Sequence, residues 1–229
     1  MSKEVILKPI AHIYNAYKTK FAIPRQSGLC EKVLSEIVFE KEYQNDHALR
    51  GLEGYSHLWL IWHFSESESK EFRPTVRPPR LGGNERVGVF ATRSPFRPNP
   101  IGLSCVKLER IEKKQGKGTV LIVSGADMTD KTPIFDIKPY LSISDSKPDA
   151  LCGFSDKVKD YALEVVFPDE LKKIIPSDMS EILESVLSGD PRPAYHDDTN
   201  REYGFEFGEY EIKFKVKNEV LTVTDIICK

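Results

Sequence analysis

The tract from residue 71 to residue 100 places the tightest constraint on the fold, because it holds six prolines. A proline inside a helix removes a backbone hydrogen bond and clashes with the preceding turn, so this tract cannot be a long helix. We expect ordered, irregular loops here, around one short strand over residues 86–91.

The same tract is basic, and its basic residues are arginines rather than lysines. Six of the chain's 11 arginines fall within it against two acids, Glu71 and Glu85, which gives a local charge of +4 in a chain of net charge -2. Guanidinium groups bind phosphate in a two-point geometry that lysine cannot match. The tract therefore predicts a rigid phosphate-binding surface, and the alternative is a solvated loop with local ion pairs to Glu66, Glu68 and Glu71. The six arginines are Arg73, Arg77, Arg80, Arg86, Arg93 and Arg97.

Apolar runs rich in β-branched and aromatic residues surround the tract and predict strands. They cover residues 5–13, 56–64, 103–111, 120–123 and 134–137, whereas residues 33–39 fit either a strand or a helix. Because the connections are rich in glycine and proline, residues 1–150 predict a β-barrel or closed sheet.

Residues 151–229 predict a smaller α+β domain. Apolar and charged side chains alternate strictly over Tyr210–Lys217, which is the pattern of a half-buried strand. Further strands are expected over 161–167 and 220–227, and helices over 168–175 and 177–187, with Ser177 as the N-cap of the second helix. The expected fold class is therefore mainly β, with an N-terminal barrel domain (1–150) and an α+β appendage (151–229).

Composition excludes several classes of protein. With 40% apolar residues and balanced charge, the chain is neither a polycation nor globally disordered. Lys8 interrupts the first apolar run too early for a signal peptide, and no run approaches the roughly 18 apolar residues of a membrane span. The four cysteines are too scattered for a zinc knuckle or a disulfide scaffold, so we expect reduced thiols, no metal and a cytoplasmic location.

Two groups of side chains could carry chemistry. His57 and His63 are six residues apart on one strand, hence on one face, and are ligands, bases or hydrogen-bonded core residues, although no third ligand has metal-like spacing. Asp127, Asp130 and Asp136 surround a turn and could bind a cation, a ribose or an amine, or could cap the backbone. The chain has no Walker A motif, no GxGxxG fingerprint and no GxSxG elbow.

Several segments resemble the TrmO (YaeB-like) family of S-adenosylmethionine-dependent tRNA methyltransferases. The most specific is GVFATRSPFRPNPIGLS at residues 88–104, supported by VRPPRLGGN at 76–84 and by ALRGLE and SHLWL at 48–60. Shorter matches are IPRQ at 23–26, DIKPYL at 136–141 and DPRPAY at 190–195. The similarity spans nearly the whole chain.

The resemblance implies a non-Rossmann β-barrel that binds S-adenosylmethionine, a smaller C-terminal domain and a homodimer. It implies N-methylation of the exocyclic amine of threonylcarbamoyl-adenosine at position 37 of tRNA, next to the anticodon. Lys131 stands where the family usually has glycine. The implied cofactor residues are Pro24, Arg25, Gln26, Phe64, Ser65, Glu66, Arg93, Leu103, Asp130, Lys131, Thr132 and Pro133.

The reaction and its substrate suggest further roles. The carbamoylated amine needs a proton acceptor, for which the candidates are Asp136, Asp127 and Tyr140, in that order, unless these residues only organise the pocket. Arg25 or Lys138 could bind the threonyl carboxylate. The tRNA contacts are expected from Arg73, Arg77, Arg80, Arg97 and Arg192, with Tyr195 or Phe96 stacking on a base.

Two other readings remain open. A non-catalytic RNA-binding module on the same barrel would also explain the arginine tract, but would not need a cofactor pocket. A dimeric interaction protein could use the strand that carries Trp59 and Trp62. Saturable binding of S-adenosylmethionine separates the methyltransferase from the binding module.

Overall fold

The computed structural model describes residues 4–21, 23–67, 71–78, 85–158, 161–192 and 198–229. Within these ranges the chain forms two larger β-sheets, one two-stranded hairpin and three α-helices. None of the helices in the described ranges is long and apolar enough to cross a membrane. The strands are β1 Ala11–Tyr14, β2 Leu34–Phe39, β3 His57–His63, β4 Thr75–Val76, β5 Val87–Gly88, β6 Ile101–Lys114, β7 Gly118–Ser124, β8 Pro133–Pro139, β9 Glu164–Val166, β10 Tyr203–Phe207, β11 Tyr210–Lys217 and β12 Val220–Cys228. The α-helices are α1 Ser142–Asp145, α2 Asp169–Lys172 and α3 Ser177–Ser188, and 3₁₀ turns cover Lys41–Tyr43, Asp46–Leu49, Leu52–Gly54, Val89–Ala91 and Gly153–Val158.

The first sheet is a closed six-stranded barrel in the order β1-β2-β7-β6-β3-β8, which confirms the predicted fold class. All its neighbouring strands are antiparallel, and pairing of Ala11 with Ile134 between β1 and β8 closes the ring. Alternate residues of each strand fill the interior, as the period of two requires. Its buried apolar side chains include Ala11, Ile13, Ile37, Leu58, Leu60, Val106, Leu121, Val123 and Ile134.

Strand β3 carries the aromatic run that predicted a buried strand. Leu58, Leu60 and Trp62 point into the barrel. His57 and His63 lie on the outward face, together with Trp59 and Ile61. The strand is therefore confirmed, but only one of its faces is buried.

The second sheet has the order β10-β11-β12-β9, in which β9 is parallel to β12 and the other pairs are antiparallel. Leu183, Val186 and Leu187 of α3 pack in its core. Three residues from before position 150, Tyr17, Cys30 and Val33, belong to this same core. The division into domains 1–150 and 151–229 stays a prediction, and the N-terminal segment contributes to the second core.

Three local expectations were wrong. The first strand begins at Ala11 rather than at Val5, and Val5 is 81% exposed, because the barrel closes through residues 11–14 and Pro9 lacks an N–H for a ladder. Residues 86–91 split into the short strand β5 and a 3₁₀ turn. Pro176, not Ser177, occupies the N-cap position of α3.

Candidate functional site

A cavity of about 1730 Å³ lies at the end of the barrel where β3 ends, β6 begins and β7 connects to β8. Phe64 N–H donates to Pro100 O over 2.8 Å and Gly28 N–H donates to Gly125 O over 2.9 Å, so these connections are held together by the backbone. Residues 152–155, on the way to the second sheet, line the cavity from another side. The site is thus formed by loops on a rigid barrel, which is a common arrangement for functional residues.

A buried hydrogen-bond chain ends at the Asp127 carboxylate, which lines the cavity. The Trp62 indole N–H donates to Ser104 Oγ over 2.8 Å, and the Ser104 hydroxyl donates to Asp127 Oδ1. An indole nitrogen can only donate, so of these two neighbours only Asp127 can accept the Ser104 proton. We call these three residues the Trp62–Ser104–Asp127 chain.

Burial raises the pKa of Asp127 from 3.8 to about 6. Hydrogen bonds from Ser104 and from the backbone of Asp127 and Ser27 oppose this rise, as does the positive charge of Arg93. A carboxyl group with this pKa is ionised at neutral pH and remains basic enough to accept a proton, which is the compromise that a general base requires.

The position of Trp62 depends on the glycine opposite it in the sheet. Trp62 pairs with Gly102 across β3 and β6, and the indole lies against the glycine backbone. A Cβ atom on Gly102 would lie 2.2 Å from Trp62 Cε2. Because Gly102 has no side chain, the Trp62 indole can lie where its N–H reaches Ser104 Oγ.

Polar contacts tie the loops of the cavity to one another. Arg93 Nη1 donates to Gln26 Oε1 over 2.8 Å, which joins the segment after β5 to the loop after β1. Lys20 Nζ donates to Ser67 Oγ over 3.2 Å and to the carbonyl of Glu66, on the segment after β3. Arg73, Arg77 and Arg86 line the same cavity, so its wall on this side is cationic.

A family model described as "tRNA-methyltransferase O N-terminal domain" matches residues 12–146, and one described as "TrmO C-terminal domain" matches residues 160–228. The chain belongs to the TrmO family. The predicted family and reaction class, S-adenosylmethionine-dependent methyl transfer to tRNA, are therefore confirmed.

Curated TrmO relatives and solved TrmO structures resemble the chain over most of its length. The chain is 39% identical to the tRNA (adenine(37)-N6)-methyltransferase of Escherichia coli K12, over 90% of this chain and 91% of that protein. It is 34% identical to a putative S-adenosylmethionine-dependent methyltransferase, RcsF, of Pseudomonas aeruginosa PAO1, over 96% of each. A crystal structure of TrmO from P. aeruginosa superposes with a TM-score of 0.80 at 29% identity, covering 100% of this chain and 99% of that one.

The cavity brings together eight of the twelve cofactor residues that the TrmO resemblance implies. The other four lie elsewhere: Leu103 is 52% exposed on the outward face of β6, and Pro133 opens β8. Asp130 accepts hydrogen bonds from Lys18 Nζ (2.7 Å) and Asn15 N–H (3.0 Å), so it anchors the end of β1. The eight that line the cavity are Pro24, Arg25, Gln26, Phe64, Ser65, Glu66, Arg93 and Thr132.

Lys131, the fourth, stands at the position where the family resemblance implies glycine. Its φ is 65°, in the left-handed region that glycine adopts without a steric penalty. Its N–H donates to Ile13 O over 2.7 Å, and its side chain is exposed. The loop thus keeps the conformation expected of glycine, and the lysine side chain points away from the packed barrel.

The three predicted proton acceptors occupy different places, and only Asp127 lines the cavity. Asp136 is on the outward face of β8, where it pairs with Lys138 over 2.8 Å. Tyr140 packs against His57 and Trp59 on the barrel exterior, with ring centroids 6.2 and 5.9 Å apart. The geometry therefore favours Asp127, which the sequence ranked second.

Two of the predicted tRNA contacts, Arg73 and Arg77, line the cavity. Arg97 Nη1 instead donates to Thr92 O over 3.0 Å within its own loop, and the Arg192 guanidinium is engaged by Asp190. Arg80 and Tyr195 lie outside the described residues. Phe96, the other predicted stacking residue, is 52% exposed and lines the cavity.

The lining fits S-adenosylmethionine. The carboxylate of Asp127 provides a negative charge for a sulfonium, and the rings of Trp62 and Phe64, inclined by 58° with centroids 4.2 Å apart, provide an apolar wall. The residues that would hold the cofactor are the eight named above.

Sequence reasoning missed Ser104 and Trp62 as members of the site. The available signal was the run of small residues at Gly102 and Ser104, facing the aromatic strand.

Arg25 links the cavity to the second sheet through a clamp around Asp190. Arg192 donates from Nε and Nη2 to the two Asp190 oxygens over 2.8 Å each, and Tyr161 OH donates to Oδ2 over 2.7 Å. Arg25 Nη2 donates to the carbonyls of Asp190 and Arg192, over 3.3 Å each. Although burial alone would raise the pKa of Asp190, the Arg192 and Tyr161 hydrogen bonds hold it below its ordinary value.

We expect Asp190→Ala to destabilise the fold by roughly 2 kcal/mol, because it leaves the Arg192 guanidinium partly buried without its partner. Since the pKa of Asp190 is lowered on folding, its contribution is present above about pH 4 and is lost as the pH falls further. Urea titrations of wild type and variant at pH 7 and pH 3 measure both effects. Equal stability of the two proteins at pH 7 would contradict the clamp.

Proposed function

We propose that this chain methylates N6 of adenosine 37 in tRNA, as the name of its E. coli relative describes for that protein. The observation that carries the proposal is the Asp127 carboxylate, oriented by Ser104 on the wall of a cavity that arginines also line. Such a site combines a proton acceptor with phosphate-binding groups, which is what methyl transfer to an RNA amine requires.

The substrate that we propose is adenosine bearing N6-threonylcarbamoyl. The cavity, at about 1730 Å³, exceeds the roughly 300–1,000 Å³ of ordinary ligand pockets, so it has room for a cofactor and a bulky base together. Arg25 lines the cavity and is our candidate for the threonyl carboxylate. Lys138 is a weaker candidate, because it pairs with Asp136 on the outer face of the barrel.

Bound S-adenosylmethionine supplies the electrophilic methyl group, and the protein supplies binding, orientation and electrostatics. The N6 atom is a poor nucleophile, since its lone pair is delocalised into the urea group. Asp127 accepts the N6 proton as the new bond to nitrogen forms. The Ser104 hydroxyl and the charge of Arg93 stabilise the ionised carboxylate before the proton arrives.

The test is transfer of labelled methyl from S-adenosylmethionine to total tRNA, prepared with and without the threonylcarbamoyl group. Incorporation only into the modified tRNA supports both the reaction and the substrate. Equal incorporation into both pools removes the threonylcarbamoyl requirement. No incorporation, with no binding of S-adenosylmethionine, would leave the RNA-binding module as the better reading.

Two further properties are proposals that rest on the family resemblance. We propose that the chain forms a homodimer and acts in the cytoplasm. Light scattering after size-exclusion chromatography measures the first, and a mass of one chain, 26.1 kDa, would contradict it.

Arg77→Ala is expected to weaken tRNA binding by about tenfold, the scale of one charge-assisted hydrogen bond. The slope of log K against log salt should flatten by about 0.7–0.9, as one phosphate contact is lost. The affinity for S-adenosylmethionine should not change. The matched control is Arg110→Ala, since Arg110 pairs with Glu112 on β6 over 2.9 Å. If both variants lose the same affinity, Arg77 makes no specific contact.

A further inference from the structure

Two phenylalanine rings stand exposed beside the cavity. Phe72 is 59% exposed and Phe90 is 73% exposed, although phenylalanine is usually buried. Their ring centroids are 6.4 Å apart and their planes differ by 27°, so they form a stacked pair. Phe90 also lines the cavity.

The β4–β5 hairpin holds the pair in place. Phe72 precedes β4 and Phe90 follows β5, so strand pairing brings the two rings to the same end of the hairpin. Val89 N–H donates to Pro74 O over 2.9 Å, and the Val89 side chain is 1% exposed. Because the buried Val89 anchors the turn, Phe90 is presented to solvent by a fixed backbone.

The charges around the pair select the kind of partner. Arg73 is adjacent to Phe72, and Arg86 Nη1 donates to Thr75 Oγ1 within the hairpin over 3.0 Å. Both arginines line the same cavity as Phe90. Exposed aromatic rings among guanidinium groups are the features with which proteins bind single-stranded nucleic acid, the rings stacking on bases and the arginines contacting phosphates.

We propose that Phe90, backed by Phe72, stacks on the base of the nucleotide next to the methylated adenosine. This inference rests on the proposed function, which places the target base in the cavity, and a base that enters an enzyme pocket must first leave its stack. Extruding that base exposes one face of its neighbour, and Phe90 offers an exposed ring at the cavity that such a face can stack on. The ring thus replaces the stacking partner that the neighbour loses.

The test combines two Phe90 variants with two anticodon stem-loops, one intact and one abasic at the neighbouring nucleotide. For wild type, the abasic change should weaken binding about tenfold, the scale of one base-stacking contact. Phe90→Ala should weaken binding of the intact RNA by a similar factor and should show no further loss with the abasic RNA. Phe90→Tyr retains a stacking ring and should behave as wild type, and Ile174→Ala, in the second domain, is the control for an exposed apolar residue.

Binding is measured by fluorescence anisotropy, and methyl transfer is measured on the same RNAs. If the loss of affinity from Phe90→Ala and the loss from the abasic change simply add, while methyl transfer to intact RNA persists, Phe90 does not stack on this base and the proposed function stands. If wild type binds neither RNA, the proposed function fails first. If Phe90→Ala instead abolishes self-association in sedimentation without changing RNA affinity, the pair is an interface between copies of the chain and the proposal is overturned.

Discussion

Replacing Asp127 with asparagine is expected to lower kcat for methyl transfer by about 10²- to 10⁴-fold, the usual contribution of a positioned general base. Asparagine has nearly the same shape and can still accept the Ser104 hydrogen bond, so tRNA affinity should change little. In wild type, kcat should rise with pH through about 6 and level off above it, because Asp127 must be ionised. The variant should lose this pH dependence.

Asp136→Asn is the matched control, since Asp136 is the other acidic candidate but faces outward on β8. Its kcat should remain within a few-fold of the wild-type value. Single-turnover methyl transfer with saturating S-adenosylmethionine measures both variants. If Asp127→Asn keeps the wild-type kcat and Asp136→Asn is inactive, the proton acceptor is Asp136 and not Asp127.

Stability should move in the opposite direction to activity in Asp127→Asn. The pKa of Asp127 is raised on folding, so the stability linked to its protonated form is complete below about pH 3.8 and is lost as the pH rises through about 6. At pH 7.5 the ionised carboxylate opposes folding by up to roughly 3 kcal/mol. The variant should therefore resist urea better than wild type at pH 7.5, and this advantage should vanish near pH 3.5.

Gly102→Ala is the second substitution for which we expect a large effect, and it should lower both stability and activity. Its Cβ would lie 2.2–2.6 Å from three ring atoms of Trp62, and overpacking of this kind destabilises a protein by about 3 kcal/mol. Displacement of the indole also removes the hydrogen bond to Ser104, which leaves the Ser104 proton free to turn away from Asp127.

The matched control is Gly88→Ala, because a Cβ on Gly88 meets no atom within 4 Å and its φ is -58°. Thermal melts and kcat at a temperature where both variants are folded measure the two effects. If folded Gly102→Ala keeps the wild-type kcat, the Trp62–Ser104–Asp127 chain does not orient the carboxylate.

Local patterns in the sequence predict much of the fold. The alternation over Tyr210–Lys217 predicts β11, and the apolar spacing in α3 predicts the face that packs in the second core. These features depend on neighbours along the chain, and so does the loop character of the arginine tract. The family resemblance supplied eight of the residues that line the cavity.

The rank of Asp136 among the proton acceptors shows what such patterns miss. Ile134 points into the barrel, so regular alternation would also turn Asp136 inward. The pairing of β3 with β8 shifts between Ile61 and Trp62, so that Ile134 faces Trp62 while Asp136 faces Ile61. The extra residue reverses the parity of the strand, as a β-bulge does, and Asp136 faces outward. The Trp62–Ser104–Asp127 chain likewise depends on the register between β3 and β6, which no local pattern encodes.

The contribution of Tyr17 to the second core has a consequence for the order in which the protein matures. Tyr17 packs on Phe207 with ring centroids 5.8 Å apart, and the two residues also form a β-bridge. Phe207 is translated long after Tyr17 and after every strand of the barrel. We therefore expect the loop after β1, which carries Pro24 and Gln26, to reach its final position only when the C-terminal sheet has formed. We consequently expect a newly made chain to become competent for methyl transfer only after its C-terminal sheet has formed.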